Sequence, residues 1–183
     1  MTVDHHHTAS VLEPGTDPDG RTDGFLELSG YLTGFGRVQL IGTGLTATYL
    51  RTLDAILPGG VLADLLDAFR RLPAGADQDG ADQDGADRDG ADRDGAVGST
   101  ILADPRLGPV ARNIILLWYR GTWAALPAEW RAAYGASPLD TDHVVSAEAY
   151  QGGLQWVAAG AHPAGARQQG YGAWAVAPEG SRG

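Results

Sequence analysis

The sequence predicts a mostly α protein: a small, single-domain helical bundle with a disordered N-terminus, a disordered acidic repeat linker and an extended C-terminal arm. Two observations lead there. Apolar residues recur at three- and four-residue spacing in separate segments, and Gly or Pro closes most of those segments. The 183 residues, 43% hydrophobic with five Trp, suffice for one core.

Residues 1–24 are rich in Asp, Gly, Pro and Thr without apolar periodicity and are expected to be disordered. From Phe25 the pattern turns helical: Phe25, Leu28 and Leu32 share a face, and Thr33-Gly34 stops the segment. A longer helix is expected from Arg37, its stripe formed by Leu40, Ile41, Leu45, Thr48, Leu53 and Ile56, until Pro58-Gly59-Gly60 ends it. A third runs from Val61 to Leu72, with Leu62, Leu65, Leu66 and Phe69 on one face and Asp64, Asp67, Arg70 and Arg71 on the other. Residues 25–72 thus form the first half of the domain.

Residues 73–99 are read as an acidic linker. Between Ala76 and Gly95, Ala-Asp-Gln-Asp-Gly occurs twice and Ala-Asp-Arg-Asp-Gly twice. An EF-hand loop needs acids at positions 1, 3 and 5, Gly at 6 and Glu at 12, which this spacing does not supply. Calcium-binding and pentapeptide solenoids need an aliphatic residue in each unit, and nothing larger than Ala is present to bury. Without a side chain to bury, nothing offsets the entropy of ordering the segment.

The second half, residues 100–161, resumes with Gly108-Pro109, where Pro suits the first helical position. That helix runs through Val110, Ile114, Leu117 and Trp118 to Gly121, a favoured left-handed terminator. Its segment Ile114–Tyr119 is apolar all round, which asks for burial on most sides. A loop and short helix span Trp123–Tyr134. Ser146 caps a last helix with Tyr150, Leu154 and Val157 as its stripe, ending at Gly160. Residues 162–183, with Pro163, Gly165, Gly170, Gly172 and Pro178, read as an extended arm bearing Tyr171 and Trp174.

Charge and composition exclude several functions. The formal net charge of −10 resides in the first 24 residues and the repeat, leaving the remainder formally neutral. A neutral body argues against nucleic-acid binding, which needs a basic surface. With no Cys, neither disulfides, Cys-ligated metals nor thiol nucleophiles are available. No run of about 18 apolar residues exists, so no direct membrane insertion is expected. The acidic start lacks the basic and apolar regions of a signal peptide.

No residue set stands out as catalytic, cofactor-binding or metal-binding. His5, His6 and His7 fall in the tail without supporting ligands. Gly42-Thr43-Gly44-Leu45-Thr46-Ala47 fits the phosphate-binding pattern G-x-G-x-x-A, but lies in a helical stripe rather than after a strand. His143 and His162 have no triad or Glu-x-x-His arrangement around them; His162 suits the end of a helix. The informative residues are aromatic. Trp118, Tyr119, Arg120, Trp123, Trp156, His162, Tyr171 and Trp174 form the candidate partner interface, because desolvated Trp, Tyr and Arg dominate interface energetics. The competing reading, strongest for Trp118 and Trp156, is that these rings fill the domain's own core.

The run Asn113–Trp123 resembles the pattern I-x-x-L-W-Y-T-G-x-W of the small-subunit family of membrane-bound FAD-dependent sorbitol/fructose (sugar/polyol) dehydrogenase complexes. The likeness continues in order through Val145–Tyr150, Gly153–Trp156, Gly160–Pro163, Gly170–Trp174 and Pro178, and Phe25–Gly34 resembles the family's start. The resemblance implies a non-catalytic accessory subunit without a cofactor of its own. Its implied partners are the FAD-containing large subunit, which it stabilises or helps to export, and a cytochrome c subunit. It implies a periplasmic or membrane-associated complex, but the expected twin-arginine signal is not found in this sequence, which leaves the cytoplasm open as well. The alternative is a free-standing helical protein-binding module unrelated to oxidoreductases.

Overall fold

The computed structural model describes residues 20–72, 95–135, 137–161 and 163. Among them the fold is mostly α. Eight α-helices carry it: α1 (Arg21–Thr33), α2 (Arg37–Gly42), α3 (Thr46–Ile56), α4 (Val61–Arg70), α5 (Leu107–Arg120), α6 (Ala128–Tyr134), α7 (Ala147–Gln151) and α8 (Leu154–Ala158). A π-helical segment, Val97–Leu102, precedes α5. The two-residue strands β1 (Thr122–Trp123) and β2 (His143–Val144) pair antiparallel, Thr122 opposite Val144 and Trp123 opposite His143.

The long apolar helix α5 is the axis. It packs against α1, α4, the π segment, β1, α7 and α8, as its all-round hydrophobicity demands. In its last turn Trp118 is fully buried, 6.1 Å from the Phe25 ring in a stacked arrangement and 4.9 Å from Tyr49 edge-on. Its indole Nε1 donates to Ser29 Oγ at 2.8 Å, so the one polar atom of the ring is satisfied inside the core. From the next residue, the Tyr119 hydroxyl donates to the Thr33 carbonyl at 2.8 Å and ties α5 to the end of α1.

Two glycines let the end of α5 meet α7 and α8. Gly121 terminates α5 with φ 65°, and a Cβ there would lie 2.3 Å from the carbonyl carbon of Ala149. A Cβ on Gly153 would lie 2.6 Å from the Tyr119 carbonyl oxygen. Backbone therefore packs on backbone, with no room for a side chain.

Several sequence expectations are corrected here. The first helix begins at Arg21, inside the stretch assigned to a disordered tail at residues 1–24. Its first turn is held by charge rather than by apolar burial: Arg21 pairs with Asp54, and Asp23 with Arg37. The helix expected from Arg37 to Ile56 is two helices, broken at Gly44, whose φ is 71°. The last residues of the expected 73–99 linker are helical, and Val97 and Ile101 are buried. The expected helix from Ser146 to Ala159 is split at Gly152-Gly153. Its predicted cap is present, with Ser146 Oγ accepting from the Ala149 amide at 3.0 Å. The N-terminal residues 1–19, the repeat up to residue 94 and the arm from residue 164 lie outside the described residues, as does His162.

Two substitutions test this packing. Gly121→Ala combines an unfavourable φ with a collision against the α7 backbone and is expected to cost more than about 3 kcal/mol, read as a fall of at least about 10 °C in Tm. Gly30→Ala, within α1 and with only ordinary contact to the Phe35 carbonyl at 3.5 Å, should instead raise stability by about 0.5–1 kcal/mol.

Tyr49 provides a second test. Its ring is fully buried and its hydroxyl has no hydrogen-bond partner. Burial raises its pKa well above the ordinary 10.0. The folded state thus holds this proton more tightly than the unfolded chain does. The associated stability is fully present below pH 10.0 and is lost as pH rises beyond it. Tyr49→Phe is expected to flatten the alkaline side of the stability profile and, by removing an unpaired hydroxyl, to leave neutral-pH stability unchanged or higher by up to about 2 kcal/mol in urea titrations.

Candidate partner-binding surface

A groove of about 380 Å³ lies between the α2 region and the α7–α8 pair. Phe35, Gln39, Gly42 and Thr43 form one wall, and Gly152, Gly153, Leu154, Trp156 and Val157 the other, with Ala161 and Pro163 closing an end. No lining side chain is charged. Val157 is 65% exposed, and on α2, beside the groove-lining Gln39 and Gly42, Val38 is 83% and Ile41 50% exposed. Leu40, between them, is fully buried and anchors the helix. α2 thus turns one residue inward and two branched apolar residues outward.

Trp156 is half-buried in the groove wall. Its Nε1 donates to the Tyr150 carbonyl at 2.9 Å, and its ring stands edge-on to Tyr150 at 5.5 Å. The indole is therefore fixed in orientation before any partner arrives, which lowers the entropy cost of using it as an anchor. Tyr119, partly buried, supports the opposite wall through an edge contact to Phe35 at 5.9 Å. Arg120 is exposed at the end of α5.

The structure corrects the candidate interface at two positions. Trp118 and Trp123 lie in the interior, 0% and 1% exposed, so neither offers a surface to another chain in the folded state. Trp118 is held by Ser29 as described. Trp123 Nε1 donates at 2.8 Å to Asp140 Oδ1, which also accepts from the Leu126 amide at 3.0 Å. Each indole has a buried polar partner, distant in sequence, that makes an interior position tolerable. Tyr119, Arg120 and Trp156 lie on or just behind the surface. His162, Tyr171 and Trp174 lie outside the described residues.

Sequence reasoning missed Val38, Ile41 and Val157 as exposed residues, and Asp140 as a buried one. A strict helical projection of the isolated segment 37–42 places Ile41 and Val38 together, away from Leu40. That signal was hidden by treating Arg37–Ile56 as one helix.

The other sequence candidates do not assemble into a reactive site. The G-x-G-x-x-A stretch is a turn between two helices, not a strand-to-helix turn. His143 is exposed on β2, its Nδ1 2.6 Å from the Thr141 carbonyl oxygen. Among the described residues no group of three His, Cys, Asp or Glu is placed to hold a metal ion, and no helix is long and apolar enough to cross a membrane.

The fold and this surface define a small mostly α domain with an apolar, uncharged groove on one face. No family model, curated protein or solved structure matches the chain.

The Asp140 cluster yields a prediction about the interior around Trp123. Asp140→Ala leaves the Trp123 indole N–H and the Leu126 amide unpaired in the interior. A loss of about 2–5 kcal/mol is expected by chemical denaturation. Asp140→Asn, which keeps an acceptor oxygen, should lose less than half of that.

Proposed function

We propose that the chain is a non-catalytic small subunit that binds and stabilises a FAD-containing sugar or polyol dehydrogenase large subunit. The groove between α2 and α8 and the C-terminal residues beyond it form the contact, and the flavin chemistry resides in the partner. The observation that carries this reading is a pre-oriented, half-buried Trp156 and an exposed Val157 in the wall of an uncharged groove, with Val38 and Ile41 exposed on the helix that forms the other wall. Apolar side chains grouped about an aromatic anchor gain most when a partner removes them from water. The resemblance of segments 25–34, 113–123, 145–150, 153–156, 160–163 and 170–174, with Pro178, to dehydrogenase small subunits supplies the class of partner. Association is governed by shape and apolar burial, since the groove brings no charge of its own.

The test is co-expression with a FAD-containing sugar/polyol dehydrogenase large subunit from the same genome. The two chains are expected to elute together, with more flavin-loaded large subunit recovered than when it is expressed alone. The double variant Ile41→Asp/Val157→Asp places two carboxylates on the proposed contact while leaving the core untouched. It should weaken association at least about tenfold, equivalent to about 1.4 kcal/mol, with an unchanged melting temperature. A large subunit that folds, retains FAD and elutes alone regardless of this chain overturns the proposal in favour of a free-standing helical binding module.

A further inference from the structure

A second cleft, of about 270 Å³, lies between α3 and the segment 138–145. Thr52, Ala55 and Ile56 line it from the helix, and Leu139, His143 and Val145 are among the residues that line it from the other side. No lining side chain carries a fixed charge. The cleft shares no lining residue with the groove between α2 and α8 and stands apart from the partner proposed there.

Its outer wall is held in place by bonds to the rest of the fold. Asp140 accepts from the Trp123 indole and the Leu126 amide, Asp142 Oδ1 accepts from the Ala125 amide at 2.7 Å, and the Val145 amide donates to the Gly121 carbonyl at 2.9 Å. The wall is thus ordered before anything enters, which lowers the cost of binding. Leu139, 55% exposed, leaves apolar surface in the cleft for an occupant to cover.

One polar atom of the lining is unused. His143 Nδ1 lies 2.6 Å from the Thr141 carbonyl oxygen; a carbonyl only accepts, so in the neutral ring Nδ1 carries the hydrogen. Nε2 is then an acceptor, and among the described residues it has no hydrogen-bond partner. The Thr52 hydroxyl, by contrast, already donates to the Thr48 carbonyl at 3.0 Å.

From these observations we infer that this cleft binds a small uncharged molecule with an apolar body and one hydroxyl group, an alcohol or a phenol. The hydroxyl donates to His143 Nε2, and the body lies against Ala55, Ile56, Leu139 and Val145. Size, charge and polarity each narrow the class. The volume falls just below the roughly 300–1,000 Å³ of sites for drug-sized molecules, which suits a single substituted ring. An ion would shed its hydration without a countercharge in the lining, and five of the eight lining residues are apolar, so further hydroxyls would be stranded. Sugars and polyols are therefore not ligands of this cleft.

The test is a pair of NMR titrations of the full chain with 4-methylphenol and with 4-methylanisole, which keeps the ring and the oxygen but has no hydrogen to donate. Both are expected to shift the amide signals of Ala55, Leu139 and Val145 saturably, while those of Gln39 and Trp156 stay in place. His143→Phe keeps a flat ring but removes the acceptor. It should lower the affinity for 4-methylphenol relative to 4-methylanisole by about 2- to 10-fold, the effect of losing one hydrogen bond. Ala55→Leu, at an exposed helix position, should fill the cleft and weaken both ligands together with an unchanged melting temperature. Shifts that fail to saturate or that spread over the whole domain overturn the inference, as does a phenol-to-ether affinity ratio that is the same in His143→Phe. Every one of these readings is made without the flavoprotein subunit, so their failure leaves the co-purification result untouched.

Discussion

The seat of the Trp118 indole is the constraint on which the rest of the structure depends. A single ring is touched by Phe25 of α1 and Tyr49 of α3 while its N–H is taken by Ser29 of α1. Removing an indole from water supplies a large apolar contribution, but only if its N–H is not stranded. Ser29 resolves that conflict from a position 89 residues away in sequence. The two halves of the chain, on either side of the acidic repeat, are therefore one folding unit. Neither α1 nor α5 has a complete core without the other.

Once α5 is fixed, its C-terminal end organises the smaller elements. Helices of five or six residues do not persist on their own in water. α7 and α8 exist because Gly121 and Gly153 allow their backbone to lie directly on that of α5, and because Ala149 and Leu154 are buried there. α2 is held in the same way by buried Leu40 and by the contact of Phe35 with Tyr119. The groove is thus built from short elements clamped at a few points, and its outward residues contribute little to folding.

Much of this was legible because it is local. Gly34, Gly121 and Gly160 end helices, and Gly60 precedes one, through backbone conformations that Gly alone adopts cheaply, and Ser146 caps through its own hydroxyl. What was not legible depended on distant partners. The stripe Leu40, Ile41, Leu45 reads as continuous helix because periodicity is blind to the positive φ at Gly44, and that break reverses the facing of Ile41. Order at Arg21 and Asp23 comes from Asp54 and Arg37, which no window of sequence brings together. Surface pairs of this kind contribute at most about 1 kcal/mol, enough to order a helix end already seeded by Phe25.

The aromatic residues show the same limit from the side of function. Composition marks Trp118, Trp123 and Trp156 alike as candidates for an interface, yet two of them are core. The difference lies in the polar atom each indole must satisfy. Trp118 and Trp123 find side-chain acceptors, Ser29 Oγ and Asp140 Oδ1, enclosed within the fold. Trp156 uses the Tyr150 carbonyl of the preceding short helix, at the rim, and so keeps part of its ring at the surface. A Trp whose acceptor is six residues away can be oriented without being buried, which is the condition for an anchor that serves recognition rather than stability.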